Sequence, residues 1–378
     1  MPALLPDIDP DGLLEYSVVF TDRSLNHMSA AFQQVMRDIH DTLCEVYSAD
    51  AVAVVPGGGT CAMESVARQF ASGEKVLVIR NGLFSYRWSE IFRAGAIPSG
   101  EVVLKARRQG PETDAPFAPP PLEEVTARIA AERPAVVFAP HVETASGIIL
   151  PDAYLDALAE ATHAVGGLFV LDCIASGAVW VDMRARGVDV LISAPQKGWS
   201  SPPSAGLVML GRQALVRLET RRSTSFALDL KKWLSVMLAY TGGGHAYHAT
   251  MPTDALRAFR DNMLEAMAFG FEELCAAQWK QGRRVRRMLA ERGVKSVAAE
   301  GFEAPGVVVS HTDDPEIRSG AKFRSRGVQI AAGVPLHCDE GADFSSFRIG
   351  LFGLDKLYDV EASLERLGRA LDGVFPPH

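Results

Sequence analysis

The stretch LISAPQKGWSSPPSAGL, residues 191–207, decides the reading of the whole chain. An apolar run ending in Val190, Leu191 and Ile192 delivers Ser193, Gln196 and Lys197 into a segment dense in Gly, Ser and Pro. Gly198, Pro202 and Pro203 stop a regular element there, so a strand followed by a shaped loop is expected. Loops at strand ends are where α/β proteins keep their chemistry. The chain has nine lysines, and only Lys197 stands behind an apolar strand in this way. A lysine withdrawn from water sheds its proton near neutral pH and can attack a carbonyl to form a Schiff base. Taken alone, Lys197 reads more simply as a surface lysine at a strand end. The flanking sequence shifts that balance.

Toward the N-terminus, Met28, Phe32, Val35, Met36, Ile39 and Leu43 recur at helical spacing and predict an amphipathic helix over residues 26–47. A strand over 51–55 then runs into Pro56-Gly57-Gly58-Gly59-Thr60, with a helix from Cys61 to about Phe70. Strand, glycine loop and helix start together point free backbone N–H groups at an anion. A tight turn without a ligand fits the triplet equally well. No third glycine follows at dinucleotide spacing and no Gly-Lys pair occurs anywhere, so neither the dinucleotide fingerprint nor a P-loop is present. A strand over 75–79 ends at Arg80-Asn81-Gly82-Leu83-Phe84, and another over 101–104 follows. After a helix over 122–132, the strand 135–140 leads into His141-Val142-Glu143-Thr144-Ala145-Ser146-Gly147. A helix over 153–165 stops at Gly166-Gly167, and the strand 168–171 ends in Asp172. A short helix is expected between Ser176-Gly177 and the strand over 188–192.

Continuous apolar strands alternating with helices predict an α/β fold with a mainly parallel sheet covered on both faces. Ligands bind such sheets at the carboxyl ends of the strands. Gly58, Gly59, Thr60, Phe84, Thr144, Asp172 and Lys197 all fall at those ends. Beyond Leu207 the pattern loosens into a long helix over 254–274, helices over 283–292, 314–326 and 358–373, and strands over 306–310, 328–331 and 347–350. That is a smaller α+β unit. The expected organisation is an N-terminal arm over 1–20, a large domain over 21–268 and a small domain over 269–378.

At 378 residues the chain is long enough for two domains. Its net charge of −8, with no basic stripe, argues against a nucleic-acid partner. The arginines of QGRRVRRMLAERG are expected to form a solvated helix face. No basic n-region and no run of 18 uncharged apolar residues occur, so neither a signal peptide nor a membrane span is expected. Five scattered cysteines without a CxxC pair read as reduced thiols of a cytoplasmic protein, and no zinc-ligand spacing is present.

The residues at the strand ends fit one chemistry in particular. Pyridoxal phosphate asks for a lysine, a carboxylate for its ring nitrogen, an anion cradle and often an aromatic over its ring. Lys197, Asp172, Gly58-Gly59-Thr60 and Phe84 offer these four in turn. Plainer accounts stand beside them: a helix cap for Asp172, core packing for Phe84. The segments VVPGGGTCAMESV, HVETASGIILP, LDCIASGAVWVDM, DVLISAPQKGWSSPPSAGLVML, AYHATMP and FRIGLFG resemble the class V, fold-type I, aminotransferases, in the alanine–glyoxylate and serine–pyruvate group. The resemblance runs from about residue 45 to the C-terminus.

That resemblance implies pyridoxal 5'-phosphate on Lys197, Gln196 beside its phosphate, Asp172 on its ring nitrogen and Ile174 packed on its ring. Gly58, Gly59 and Thr60 match the phosphate loop, Phe84 the stacking aromatic, and Thr144 a hydroxyl near the phenolic oxygen. Tyr247 and Thr250 match a pair that reaches the neighbouring subunit's cofactor, which implies a homodimer with shared sites. Arg348 matches the arginine that clamps the substrate carboxylate, a role suited to its two-pronged donors. Amino transfer from an alanine- or serine-type donor to glyoxylate or pyruvate is the implied reaction. One departure stands out: where relatives open with a Gly-Pro-rich loop, this chain has LLEYSVVFTDRSLNHMS, so Tyr16 to Asn26 are candidates to line the substrate pocket. A lyase or desulfurase of the same fold is the rival, with Cys338 its only loop-cysteine candidate. A non-covalent anion- or nucleotide-binding protein is the further alternative, and it leaves Lys197 without a role.

Overall fold

The computed structural model describes residues 13–375. Helix α1 (Ala30–Tyr47) starts later than its apolar spacing predicts, because Ser29 caps it by accepting from the Phe32 amide at 3.1 Å. It buries Phe32, Val35, Met36, Ile39 and Leu43 on one face. Seven strands follow: β1 (Ala51–Pro56), β2 (Lys75–Arg80), β3 (Gly100–Lys105), β4 (Val136–Pro140), β5 (Leu168–Asp172), β6 (Val190–Ser193) and β7 (Ala205–Leu210). They form one sheet in the order β1-β7-β6-β5-β4-β2-β3. β7 runs antiparallel to both neighbours, with Ala51 opposite Leu210 and Ile192 opposite Val208. The remaining pairs are parallel.

Helices α2 (Gly59–Phe70), α3 (Leu83–Gly95), α4 (Leu122–Glu132) and α5 (Asp152–Ala164) link successive strands, α6 (Arg212–Thr220) follows β7, and α7 (Leu230–Thr241) lies against the edge strand β1. Every residue of β4, β5, β6 and β7 is buried, as two covered faces require. Each buried aliphatic side chain of this core contributes about 1.5–3 kcal/mol.

Three predicted helices are corrected. Residues 174–189 contain no helix. Gly177 and Gly187 sit at φ 66° and 65°, and the backbone bonds there are isolated turns and long-range contacts, such as Met183 to the Tyr47 carbonyl at 2.9 Å. The long helix expected over 254–274 is two, α8 (Thr253–Phe269) and α9 (Phe271–Ala290), parted at Gly270 with φ 107°. The helix expected over 314–326 is a pair of single turns, Pro315–Arg318 and Ala321–Arg324, separated by Gly320 at φ 75°. The arginine-rich stretch of α9 is only partly a solvated face. Arg286 turns inward, donating to the carbonyls of Ala304 at 2.6 Å and Val307 at 3.3 Å, and burial pulls its pKa down to about 10.

A second sheet, β8 (Val307–His311), β9 (Ala331–Ala332) and β10 (Ser346–Gly350), is antiparallel in the order β8-β10-β9. It packs with α9 and the last helix, α10 (Val360–Val374), through Val285, Leu289, Phe347 and Leu371. A further apolar cluster joins Phe117 and Ile148, which lie in the connections of the large sheet, to Val297, Val309 and Leu336, so the second sheet packs on those connections. Arg348 on β10 pairs in register with Val309 and Ala331.

Candidate active site

The carboxyl ends of β4, β5 and β6 hold each other in place. His141 donates its amide to the Asp172 carbonyl and Cys173 donates to the Ile192 carbonyl, each at 2.8 Å. The Asp172 side chain is therefore fixed at the rim, where Oδ1 accepts from the Ile174 amide at 2.9 Å. Downstream of β6 the chain bends back at Ser200, φ 56°, whose amide bonds the Lys197 carbonyl at 3.1 Å. A Cβ on Gly198 would fall 2.1 Å from the Gly177 carbonyl oxygen, so only glycine lets this loop pass so close. These constraints aim Lys197 back over the sheet.

Gly59, Thr60, Phe84, Thr144, Asp172, Ile174, Gln196 and Lys197 line one cavity of about 150 Å3. That is far more room than a lone ion or water needs, and it suits a ring. Gly58 caps α2, which begins at Gly59 rather than Cys61, so the last glycine of the triplet opens the helix's first turn, where unpaired amides stand. The side chain of Ile174 presses on that turn: a Cβ on Gly59 would lie 2.5 Å from Ile174 Cδ1.

Burial sets the charges. It raises the Asp172 carboxyl from its ordinary value of 3.8 to about 6, helped by the Glu143 charge and opposed by the Ile174 amide and the charges of Lys197 and Arg87. Burial lowers the Lys197 amine below its ordinary value, against the pull of Asp172 and Glu143 and with the push of Arg348 and Arg87. Its Nζ lies 5.7 Å from the Phe84 ring centre and 5.5 Å from that of Phe352. Arg348 approaches from β10, its Cζ 5.7 Å from the same Phe84 ring and its Nε donating to the Ala332 carbonyl at 2.8 Å.

Tyr247 and Thr250 are not among the cavity's lining residues. They lie exposed on the surface, their hydroxyls 3.2 Å apart. Nor does any of residues 16–26 line it. Cys338 is buried, with Sγ facing the Arg80 carbonyl at 3.4 Å, and burial pushes its thiol far up, which is the opposite of a mobile nucleophile.

Three residues of the site had no role in the sequence reading. Phe352, four residues past Arg348, forms the second wall beside the lysine amine. Arg87 lines the cavity and donates to Thr60 Oγ1 at 3.0 Å. Glu143, fully buried, caps the start of α3 by accepting from the amides of Phe84 (3.3 Å) and Ser85 (2.8 Å), the Ser85 hydroxyl (2.7 Å) and the Ala145 amide (2.9 Å). Gly82 leaves room for this carboxylate, since a Cβ there would sit 2.7 Å from Glu143 Cγ. Glu143→Ala strands several donors at once, so the expected loss is at least about 3 kcal/mol, read as a lowered urea midpoint. A variant as stable as the parent would show that water replaces the carboxylate.

The family profile "Aminotransferase class-V" matches residues 13–289, well over half of the sequence. The chain belongs to the class-V aminotransferase family. Among curated relatives, the alanine–glyoxylate aminotransferase of Callithrix jacchus is 28% identical over 275 residues, covering 71% of this chain and 62% of that protein. The chain thus spans just under two thirds of the length of that relative. A 2-aminoethylphosphonate–pyruvate transaminase of Paraburkholderia phymatum is 28% identical over 361 residues, covering 92% of this chain and 91% of that one. Among solved structures, an aspartate aminotransferase of subgroup IV from Thermus thermophilus superposes with TM-score 0.75 at 27% identity, covering 92% of this chain and 93% of the other. The α/β architecture is that of the fold-type I aminotransferases.

Class-V aminotransferases of this fold depend on pyridoxal 5'-phosphate, and the residues of this family member fit that group. Asp172 uses one carboxylate oxygen for a backbone amide, and no other donor to the carboxylate is found among the described residues, leaving the second oxygen for a protonated ring nitrogen. The Gly59–Ile174 contact shapes an apolar wall for a flat ring, and Phe84 lines the same cavity. Lys197 is the amine within reach, and the start of α2 is the anion cradle.

Proposed function

We propose that the protein is a pyridoxal-phosphate-dependent aminotransferase that moves the amino group of a small L-amino acid, of alanine or serine type, to a small 2-oxo acid such as glyoxylate or pyruvate. The observation that carries this reading is the Lys197 amine, half-buried within 5.7 Å of the Phe84 ring centre and 5.5 Å of that of Phe352 and sharing a cavity with the buried carboxylate Asp172. The relatives' activities, alanine–glyoxylate and 2-aminoethylphosphonate–pyruvate amino transfer by name, support a small oxo-acid acceptor.

When bound, the cofactor supplies an aldehyde for covalent linkage to amines and a ring that takes up the electrons of the broken Cα–H bond. The chain's residues do the rest. Arg348 holds the substrate α-carboxylate through its free guanidinium nitrogens, with Nε anchored on Ala332. The Lys197 amine, its pKa lowered by burial, takes the proton from the substrate Cα and later delivers it. Asp172 keeps the ring nitrogen protonated. Phe84 and Ile174 hold the ring flat, and Phe84 with Phe352 keeps water from the lysine.

A homodimer completes the reading. Tyr247 and Thr250 stand exposed beside the N-terminal segment, Tyr247 5.7 Å from His27, and Leu13, Leu14, Tyr16 and Val18 of that segment are exposed as well. Such an apolar surface suits a second copy, whose cofactor Tyr247 and Thr250 would reach. Five free thiols suit a cytoplasmic setting. No described helix is long and apolar enough to cross a membrane.

The visible spectrum of the full-length protein with pyridoxal phosphate tests the function. An absorption band that bleaches with L-alanine or L-serine and returns with glyoxylate or pyruvate is the expected result. A band that responds only to L-aspartate or 2-aminoethylphosphonate would replace the donor class, and no band would sink the reading.

A further inference from the structure

We infer that Arg87 is the cationic partner of the cofactor's phosphate group, held there by Thr60. The inference rests on the cofactor being pyridoxal phosphate, and it concerns a residue outside the glycine loop that the sequence marks for that role.

The local geometry is set by two helix starts. Arg87 follows Phe84 by three residues on α3, so both side chains emerge on one face of that helix. Its Cζ stands 5.2 Å from the Phe84 ring centre and its Nη1 donates to Thr60 Oγ1 at 3.0 Å. Thr60 is the second residue of α2, the turn whose free amides face an anion. Because the Thr60 oxygen accepts from Arg87, its own hydroxyl proton is free to point the other way. Glu143 pins the α3 start through the Phe84 and Ser85 amides, so the guanidinium is presented from a fixed base.

Charge balance gives the arrangement its purpose. A phosphate monoester carries about 1.5 to 2 negative charges near neutral pH. The N-terminus of a helix offsets only about half a charge. Lys197 and Arg87 are the two cationic side chains among the described residues that line the cavity, and Lys197 is committed to the aldehyde carbon. Arg348 is not among the cavity's lining residues and is anchored at the Ala332 carbonyl. Arg87 has one hydrogen bond in the structure and four further N–H donors, enough for a two-pronged hold on phosphate oxygens.

The test compares cofactor binding by the full-length, cofactor-stripped protein with and without the phosphate group. Wild type, Arg87→Gln and Arg87→Lys are titrated with pyridoxal phosphate and with pyridoxal, following the visible band. Arg87→Gln is expected to weaken pyridoxal phosphate by roughly 10- to 100-fold while leaving pyridoxal within about twofold, and Arg87→Lys to fall between, because a point charge replaces a fork. Equal weakening of both compounds would overturn the inference, since Arg87 would then act by steadying Phe84. Unchanged binding of both, with a raised KM for anionic donors alone, would overturn it in favour of a substrate contact. If wild type binds neither compound, the cofactor assignment falls first and this inference with it. Thermal melting of the stripped variants confirms that the comparison is between folded proteins. The phosphate signal of the loaded enzyme in 31P NMR gives a readout independent of turnover: it is expected to move in Arg87→Gln, and an unmoved signal counts against the contact.

Discussion

Lys197→Ala is expected to cut turnover by at least about 10³-fold while the folded state keeps its stability. The rate loss follows from removing the group that transfers the Cα proton, a function worth roughly 10² to 10⁴ alone, together with the covalent anchor of the cofactor. The unchanged stability is the less obvious half. Lys197 Nζ has no hydrogen-bond partner among the described residues, and burial holds its pKa below the ordinary lysine value. A base depressed in the folded state is a burden at neutral pH, because the folded protein binds its proton less readily than the unfolded chain does. Truncation removes that burden along with some stem packing, and the two offset. Steady-state rates and urea melts of both proteins check the pair of statements. Added methylamine should restore part of the rate, since it fits the space the side chain leaves. A variant that loses activity only because it unfolds would refute the catalytic placement, and one that still turns over would remove Lys197 from the chemistry.

Much of this architecture was legible along the chain because the central strands are buried on both faces. β2, β4, β5 and β6 read as unbroken apolar runs, and a run of that kind flanked by glycines leaves few alternatives. The errors fall where single backbone positions decide. Gly270 and Gly320 interrupt helical patterns that continue on either side of them, and their left-handed torsions are consequences of packing rather than of spacing. Residues 174–189 lost their predicted helix because the chain there is drawn to bond Tyr47 and to pass Gly198 closely.

The site divides in the same way. Lys197, Asp172 and Gly58 to Thr60 announce themselves by standing at strand ends. Glu143 stands at one too, yet its partners lie 58 and 59 residues away on α3, and no local pattern connects them. Arg87 left a usable signal: a cation three residues after an aromatic, on the face of a helix whose start borders the glycine loop. Phe352 left none, since an aromatic after FRIGL reads as core until Lys197 is found against it.

The second large effect belongs to Asp172→Asn, which is expected to make the cofactor-free protein more stable and the enzyme nearly inactive. Burial raises this carboxyl from 3.8 to about 6. A folded-state pKa above the unfolded value means that Asp172 adds its full stability only below about pH 4, and that this contribution is lost as pH rises through about 6. Above that pH the ionised carboxylate costs the folded state about 3 kcal/mol, by linkage. Asparagine keeps the shape and the acceptor for the Ile174 amide but carries no charge, so that decline disappears. Melting of the two stripped proteins between pH 4 and 7 should therefore diverge as pH rises, the variant becoming the more stable. Adding pyridoxal phosphate reverses the order, because only aspartate gains a buried ionic partner in the ring nitrogen. Losing that pair is worth about 3 kcal/mol or more, which corresponds to a rate loss of roughly 10² to 10³. The crossing of the two stability orders is the decisive measurement. A carboxylate that merely capped the Ile174 amide would show the pH divergence without the reversal, and its replacement would leave the rate untouched.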